Sequence, residues 1–85
     1  MKIEEPVISI KNVEVLIEKG DQAIASGDGA FDFSGVSRGD SSAVAALIHW
    51  RRACGKAGVA FSATGLPAGI RELADLYEVE ELLKD

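Results

Sequence analysis

The fold is decided by residues 30–55, which read AFDFSGVSRGDSSAVAALIHWRRACG. Residues 30–36 alternate aromatic side chains with small or polar ones, which is the pattern of a β-strand. After a short turn, Asp40 is the N-cap of a helix that we expect to run to about Ala53, with Gly55 just past its end. A strand followed by a capped helix predicts an α/β protein.

The N-terminal part predicts a strand followed by a helix. Val7, Ile8 and Ile10 form a short β-prone run, which we place at a sheet edge because Pro6 cannot donate to a ladder. Asn12 is a plausible N-cap for a first helix. The apolar or small residues on one face of that helix are Val13, Leu16, Ile17, Gly20 and Ile24.

Gly20 lies on this predicted buried face. Glycine costs about 1 kcal/mol of helix propensity relative to alanine. We therefore expect the backbone of the first helix to approach a neighbouring element closely at this residue. Residues 26–29, SGDG, predict the end of the helix.

The C-terminal part predicts a further strand and two helices. Residues 58–62 are β-prone, and Pro67 opens a third helix. The apolar face of that helix contains Ile70, Leu73, Ala74 and Tyr77, and a last short helix contains Val79, Leu82 and Leu83. We expect one domain, residues 1–85, with a partly parallel sheet of three to four strands, about four helices and a βαβ unit formed by the first two strands.

The charge distribution argues against nucleic acid as a partner. The formal net charge is −5, whereas binding to a phosphate backbone needs a cluster of cations. Arg51, Arg52 and Lys56 are the only local cationic group. They lie where the second helix should end, and the helix macrodipole explains them without a ligand.

Catalytic and cofactor motifs are missing from the sequence. His49 has no Asp or Glu three or four residues away to orient it, and we expect it to be at the surface or half-buried. Cys54 is most simply a small buried hydrophobe, and one thiol with one imidazole is too few ligands for a metal. The glycines of residues 27–29 lack the spacing and context of a dinucleotide-binding loop. We predict a protein that is not an enzyme and has no cofactor.

The location is predicted from the N-terminus and the single cysteine. The first residues carry two acids where a signal peptide would carry cations, and no apolar run is long enough to span a bilayer. One thiol suits a reducing compartment. We expect a cytoplasmic protein.

The candidate site is Asp40-Ser41-Ser42, which we call the Asp40–Ser42 turn. A helix N-terminus exposes backbone N–H groups and a partial positive charge, so hydroxyls in its first turn can meet a partner or an anion. The alternative is capping alone, in which Asp40 accepts from the N–H of Ser42 or Ala43. Phosphorylation of either serine would alter the docking surface more than the stability of the helix.

These motifs resemble a known family. The run of residues 31–36, FDFSGV, followed by the Asp40–Ser42 turn, looks like the core of STAS domains, which have the SpoIIAA-like fold. The resemblance is strongest to MlaB-type proteins, through residues 40–43 (DSSA), 50–53 (WRRA) and 73–79 (LADLYEV). It implies a small STAS-like sheet with helices.

The resemblance implies a binding function with two alternatives. MlaB-type proteins bind the ATPase subunit of a phospholipid-transporting ABC complex and support it, with the residue matching Ser41 on the surface that faces the ATPase. Anti-sigma factor antagonists are instead phosphorylated by an anti-sigma kinase on a serine that also matches Ser41. The first alternative is our main expectation.

The sequence departs from the family pattern in two places. Gly39 stands where the family usually has an apolar residue before the aspartate, which predicts a looser turn. Residues 1–11 form a shortened N-terminal strand region, where many relatives have two strands. A missing strand would leave a sheet edge through which a homodimer could form.

Overall fold

The computed structural model describes residues 1–76, which form three helices and four short strands. In chain order these are β1 Val7–Ile8, α1 Val13–Ala25, β2 Ala30–Asp32, β3 Arg38–Gly39, α2 Ser41–Ala57, β4 Ser62–Thr64 and α3 Ala68–Leu76. The predicted α/β class is confirmed, and the described residues contain four strands. Tyr77 and the predicted last helix lie outside the described residues.

The strands form two small parallel sheets. In one sheet β1 pairs with β3, and Ile8 lies opposite Gly39. In the other sheet β2 pairs with β4, and Phe31 lies opposite Ala63. Because parallel strands end at the same edge, α1 and α2, which follow the paired strands β1 and β3, begin at the same end of the molecule.

The predicted βαβ unit of the first two strands is wrong, because β1 pairs with β3 and not with β2. Residues 1–3 lie along the free edge of β2 instead: the N–H of Ile3 donates to the carbonyl of Asp32 at 2.9 Å, and the N–H of Asp32 donates to the carbonyl of Met1 at 2.9 Å. The parallel βαβ unit is the later one, β2–α2–β4. Residues 1–3 thus supply backbone pairing where we expected a missing strand, and the homodimer stays a prediction.

The first strand is shorter than predicted because Asn12 bends the chain. Its Nδ2 donates to the carbonyl of Val7 at 2.8 Å, and its Oδ1 accepts from the N–H of Ser9 at 3.0 Å. Asn12 is therefore the N-cap residue of α1 by position, but its side chain makes no capping hydrogen bond to the helix. Ile10 is outside the strand and 78% exposed.

Helix α2 is longer than predicted. It continues past Ala53 and through Gly55 to Ala57, and it ends where Gly58 adopts a left-handed conformation with φ +69°. The N–H of Val59 then donates to the carbonyl of Cys54 at 2.9 Å, which closes the last turn. The predicted stop at Gly55 was therefore wrong, and the helix ends at Gly58. A glycine terminates a helix only where the backbone needs a positive φ.

Three other strands also differ from the sequence prediction. The strand predicted over residues 30–36 is found only at Ala30–Asp32, because the chain turns at Ser34 and Gly35. β3 lies within the segment that we predicted to be a turn, and the strand predicted over residues 58–62 is found at Ser62–Thr64. A two-residue strand carries too little hydrophobic pattern to be distinguished from a turn. β4 begins only after Phe61, whose side chain is buried in the core.

The core is built around Trp50 of α2, which is fully buried. Its ring stacks on Phe31 of β2 with centroids 4.4 Å apart and an interplanar angle of 6°, and its Nε1 donates to the carbonyl of Ile17 at 3.2 Å. The other largest buried side chains are Phe33, Ile3, Ile8, Leu16, Leu47, Ile70 and Cys54. The burial predicted for Cys54 is confirmed.

The close approach predicted at Gly20 is confirmed. A Cβ atom added there would lie 2.7 Å from Cζ2 of Trp50 and still closer to two other indole atoms. The missing side chain of Gly20 is what allows the indole to lie between α1 and α2. This contact fixes how the two helices pack and so where the start of α2 lies relative to α1.

Candidate functional site

The Asp40–Ser42 turn joins β3 to α2. Asp40 has an extended backbone, with φ −100° and ψ −164°, and its Oδ1 accepts from the N–H of Ser42 at 2.8 Å. Its own N–H donates to the carbonyl of Ile8 at 3.2 Å, and its carbonyl accepts from the N–H of Ala43 at 3.0 Å. The predicted capping role of Asp40 is confirmed, and these bonds tie the helix start to β1.

Ser41 is the first residue of α2, and its side chain is exposed. Its hydroxyl makes no hydrogen bond with any part of the described chain, residues 1–76. Ser42 is half-buried, and its backbone N–H is taken by the cap. Of the two serines, Ser41 therefore presents the hydroxyl that a partner can reach.

Gly39 lies directly before the turn, in β3, and is packed tightly. A Cβ atom at this position would lie 3.0 Å from the Cβ of Ala43 and 3.0 Å from Cδ1 of Ile70. A larger apolar residue would therefore crowd Ala43 in α2 and Ile70 in α3, which would have to shift. The structure thus gives a packing reason for the departure at Gly39.

An exposed apolar side chain lies at the same end of the molecule. Ile10 follows β1, as Ser41 follows β3, and these two strands are paired in parallel. Sequence reasoning missed Ile10 as a surface residue because it assigned it to the strand. The available signal was Asn12, whose side chain is suited to hydrogen bonding with nearby backbone in a turn.

The FDFSGV segment contains a second polar turn, at the end of β2. The N–H of Ser34 donates to Oδ1 of Asp32 at 2.9 Å. The backbone N–H and the hydroxyl of Ser34 hold the pKa of Asp32 below its ordinary value of 3.8. This carboxylate stabilises the turn after β2, and it is separate from the Asp40–Ser42 turn.

His49 is at the surface, as predicted, but it has an acidic partner that the sequence did not reveal. Its Nε2 lies 2.9 Å from Oδ1 of Asp21, which is on α1 and 28 residues away in the chain. The sequence prediction considered only acidic residues three or four positions from His49 in the same helix, whereas this pair connects two helices. Among residues 1–76 no group of three or more His, Cys, Asp or Glu residues could hold a metal ion.

Comparison with known families identifies the domain. The family model described as the MlaB STAS domain matches residues 7–84. The chain belongs to this family. Domains of the STAS family are generally interaction domains and not catalysts. A search of curated proteins found no match. None of the helices within residues 1–76 has the length and apolar character needed to cross a membrane.

Proposed function

We propose that this protein is an MlaB-like subunit that binds and supports the ATPase of a phospholipid-transport ABC complex through the Asp40–Ser42 turn. The observation that carries the proposal is the exposed hydroxyl of Ser41, at the start of a 17-residue helix, in a chain that matches the MlaB STAS domain over residues 7–84. In this proposal the protein acts in the cytoplasm, at the inner membrane, through the transporter.

The polar part of the proposed contact is the start of α2. Asp40 caps the N–H of Ser42, so the hydroxyl of Ser41 can donate to a partner while the cap stays in place. The partial positive charge of a helix N-terminus favours a partner oxygen, either a carbonyl or a carboxylate. The contact therefore needs no rearrangement of the helix.

The apolar part of the proposed contact is Ile10. Its side chain is 78% exposed and lies at the end of the molecule where α1 and α2 both begin. An exposed isoleucine at the same end of the molecule as a polar turn provides the combination of apolar anchor and hydrogen-bonding group that is common in protein interfaces. We expect Ile10 and Ser41 to contact the same partner.

The test is co-purification with the transporter ATPase. The wild-type protein should form a complex, and Ser41→Trp, Ser41→Asp and Ile10→Glu should each weaken it by about tenfold or more, because each places bulk or negative charge in the contact. Affinity is measured by titration calorimetry. Circular dichroism of each variant shows that the fold is intact.

A matched control is Ser26→Trp. Ser26 is also an exposed serine, but it follows the C-terminal end of α1, about 20 Å along the helix from its start. This variant should bind the ATPase like the wild type. A complex that is indifferent to both Ser41 variants would remove Ser41 from the interface, and the absence of any complex would refute the proposal.

The second candidate is an anti-sigma factor antagonist, and the exposure of Ser41 favours it equally, because a kinase needs an accessible hydroxyl. The neighbouring carboxylate of Asp40 opposes a phosphate there, whereas the helix macrodipole favours one. Incubation with the anti-sigma kinase and ATP, followed by mass spectrometry, tests this candidate. A phosphate on Ser41, lost in Ser41→Ala, would support it, and an unmodified protein would exclude it.

A further inference from the structure

The outer face of α2 has a surface that the proposed contact does not use. It is a shallow groove of about 610 Å³ on the side of the helix opposite Trp50. The residues lining it are Ala45, Ile48, His49, Arg52, Ala53 and Lys56. We call the part of it formed by Ala45, Ile48, Arg52, Ala53 and Lys56 the basic face of α2.

The basic face has positive charge in a chain whose net charge is −5. Arg52 and Lys56 are both exposed, and within residues 1–76 neither has a carboxylate at ion-pair distance. Arg51 is not part of this face, because its guanidinium lies over the ring of Phe61, 5.7 Å from the centroid. Helix α2 itself contains no acidic residue that could offset these charges.

The helix gains nothing from having these two cations four residues apart. Like charges at positions i and i+4 destabilise a helix by a few tenths of a kcal/mol. The macrodipole offsets this cost only in the last turn, where Lys56 lies. The macrodipole was expected to explain Arg52 as well, but α2 continues to Ala57, so Arg52 lies five residues before the helix end and the macrodipole does not account for it.

The uncharged part of the basic face consists of apolar side chains that protrude little from the helix. Ala45 and Ala53 have short side chains, and Ile48 is half-buried between them. Small residues on a helix let another backbone approach closely, and Ile48 offers an apolar contact at the centre. The face thus combines two cations that have no carboxylate partner among residues 1–76 with a strip on which a second helix can lie.

We infer that the basic face of α2 is a docking surface for an acidic amphipathic helix of a partner protein. Two carboxylates one turn apart on that helix would match Arg52 and Lys56, and an apolar residue beside them would contact Ile48. A lipid surface fits less well, because two cations are fewer than the four to eight of a typical polybasic membrane site, and the net charge of −5 opposes approach to anionic lipid.

The inference goes beyond the proposed function and does not depend on Ser41. The experiment uses a fluorescent helical peptide of about five turns, with Glu pairs at i and i+4 beside a Leu stripe. A second peptide carries Lys in place of every Glu. The acidic peptide should bind the wild-type protein, and should bind more weakly as salt is added, whereas the Lys peptide should not bind.

The decisive variant is the double charge reversal Arg52→Glu with Lys56→Glu, which should weaken binding of the acidic peptide by about tenfold or more. The matched control is Lys11→Glu with Arg71→Glu, which changes the net charge equally at two other exposed positions. The control should retain binding to within about twofold. Circular dichroism checks that both double variants are folded.

Three outcomes would overturn the inference: no binding of the acidic peptide to the wild type, equal loss in both double variants, or binding to phosphatidylglycerol vesicles through Arg52 and Lys56 without binding of the peptide. Ser41→Trp should bind the acidic peptide like the wild type. The transporter proposal and this inference can therefore fail independently.

Discussion

Gly20 of α1 and Trp50 of α2 occupy one shared position between the two helices. The indole of Trp50 fills the space that any larger side chain at residue 20 would need, and its Nε1 hydrogen bonds to the carbonyl of Ile17, one turn before Gly20. The indole also stacks on the ring of Phe31. The glycine therefore determines the separation of α1 and α2, and with it the position of α1 against the sheet.

Gly20→Ala should destabilise the protein by about 1–3 kcal/mol, because the added methyl group overlaps a buried indole that has no room to move. The intrinsic helix propensity of alanine would offset up to about 1 kcal/mol of this cost. Urea unfolding measures the change, and the emission of Trp50, the only tryptophan in the chain, reports the local packing.

The matched control for Gly20→Ala is Gly55→Ala. Gly55 also lies within a helix, but a Cβ atom there would have no atom within 4 Å. This variant should be unchanged or more stable by up to about 1 kcal/mol, since only helix propensity acts. If both alanines had the same effect, the contact between Gly20 and Trp50 would not be what makes glycine necessary at residue 20.

The sequence was sufficient to predict the elements with strong local signals. Asp40 is both an N-cap and the first residue before an apolar helix face, and the structure has that cap. Gly20 interrupts an otherwise apolar face, and only a close neighbour explains a glycine there. In each case one residue type fits one backbone or packing requirement, so the pattern alone carried the prediction.

The sequence was insufficient where a contact depends on partners far away in the chain. The pairing of β1 with β3 and the hydrogen bond between Asp21 and His49 join segments that no local pattern relates. Ile10 was assigned to a strand because β-propensity does not show that the side chain of Asn12 bends the backbone. The sequence predicted where the Asp40–Ser42 turn lies, but it did not predict that Ile10 is exposed at the same end of the molecule.

The hydrogen-bonded contact between Asp21 and His49 should contribute little to stability. The two side chains are 45% and 46% exposed, so water and salt screen their attraction. A double-mutant cycle with Asp21→Ala and His49→Ala should give a coupling energy below about 1 kcal/mol, smaller still in high salt. The cycle of Lys19→Ala with Glu5→Ala, whose charged atoms are 3.8 Å apart, is the comparison. A larger coupling would show that the pair has a role beyond a surface contact.

The carboxylate of Asp32 should make stability depend on pH in the acid range. Hydrogen bonds from Ser34 lower its pKa in the folded protein below the ordinary 3.8, so the folded state favours the ionised form. The stabilisation is therefore present above about pH 3.8 and is lost as the pH falls through the lowered folded-state pKa. Asp32→Asn keeps an acceptor for the N–H of Ser34 but removes the charge.

Urea midpoints of the wild type and Asp32→Asn should differ at neutral pH and converge in acid, once the pH has fallen through the lowered folded-state pKa of Asp32. Ser37→Ala, which removes a hydroxyl bonded to the carbonyl of Pro6, is a control that should shift the midpoint equally at both pH values. A difference between wild type and Asp32→Asn that persists unchanged in acid would mean that the charge of Asp32 is not stabilising.

Variants of Asp40 and Ser41 should show that the stability of the helix start and its contact with a partner depend on different residues. Asp40→Ala removes the acceptor for the N–H of Ser42 and should cost about 1 kcal/mol in urea unfolding. Ser41→Ala should change stability by less than about 0.5 kcal/mol, because its hydroxyl is exposed and unbonded within the described residues. Asp40→Asn, which keeps a capping oxygen, should restore most of the stability lost in Asp40→Ala.

Affinity for the transporter ATPase should depend on Ser41 instead. Ser41→Trp should lose affinity while remaining as stable as the wild type. If Ser41→Ala were as destabilising as Asp40→Ala, Ser41 would be part of the cap, and contact with a partner would no longer be needed to explain the serine.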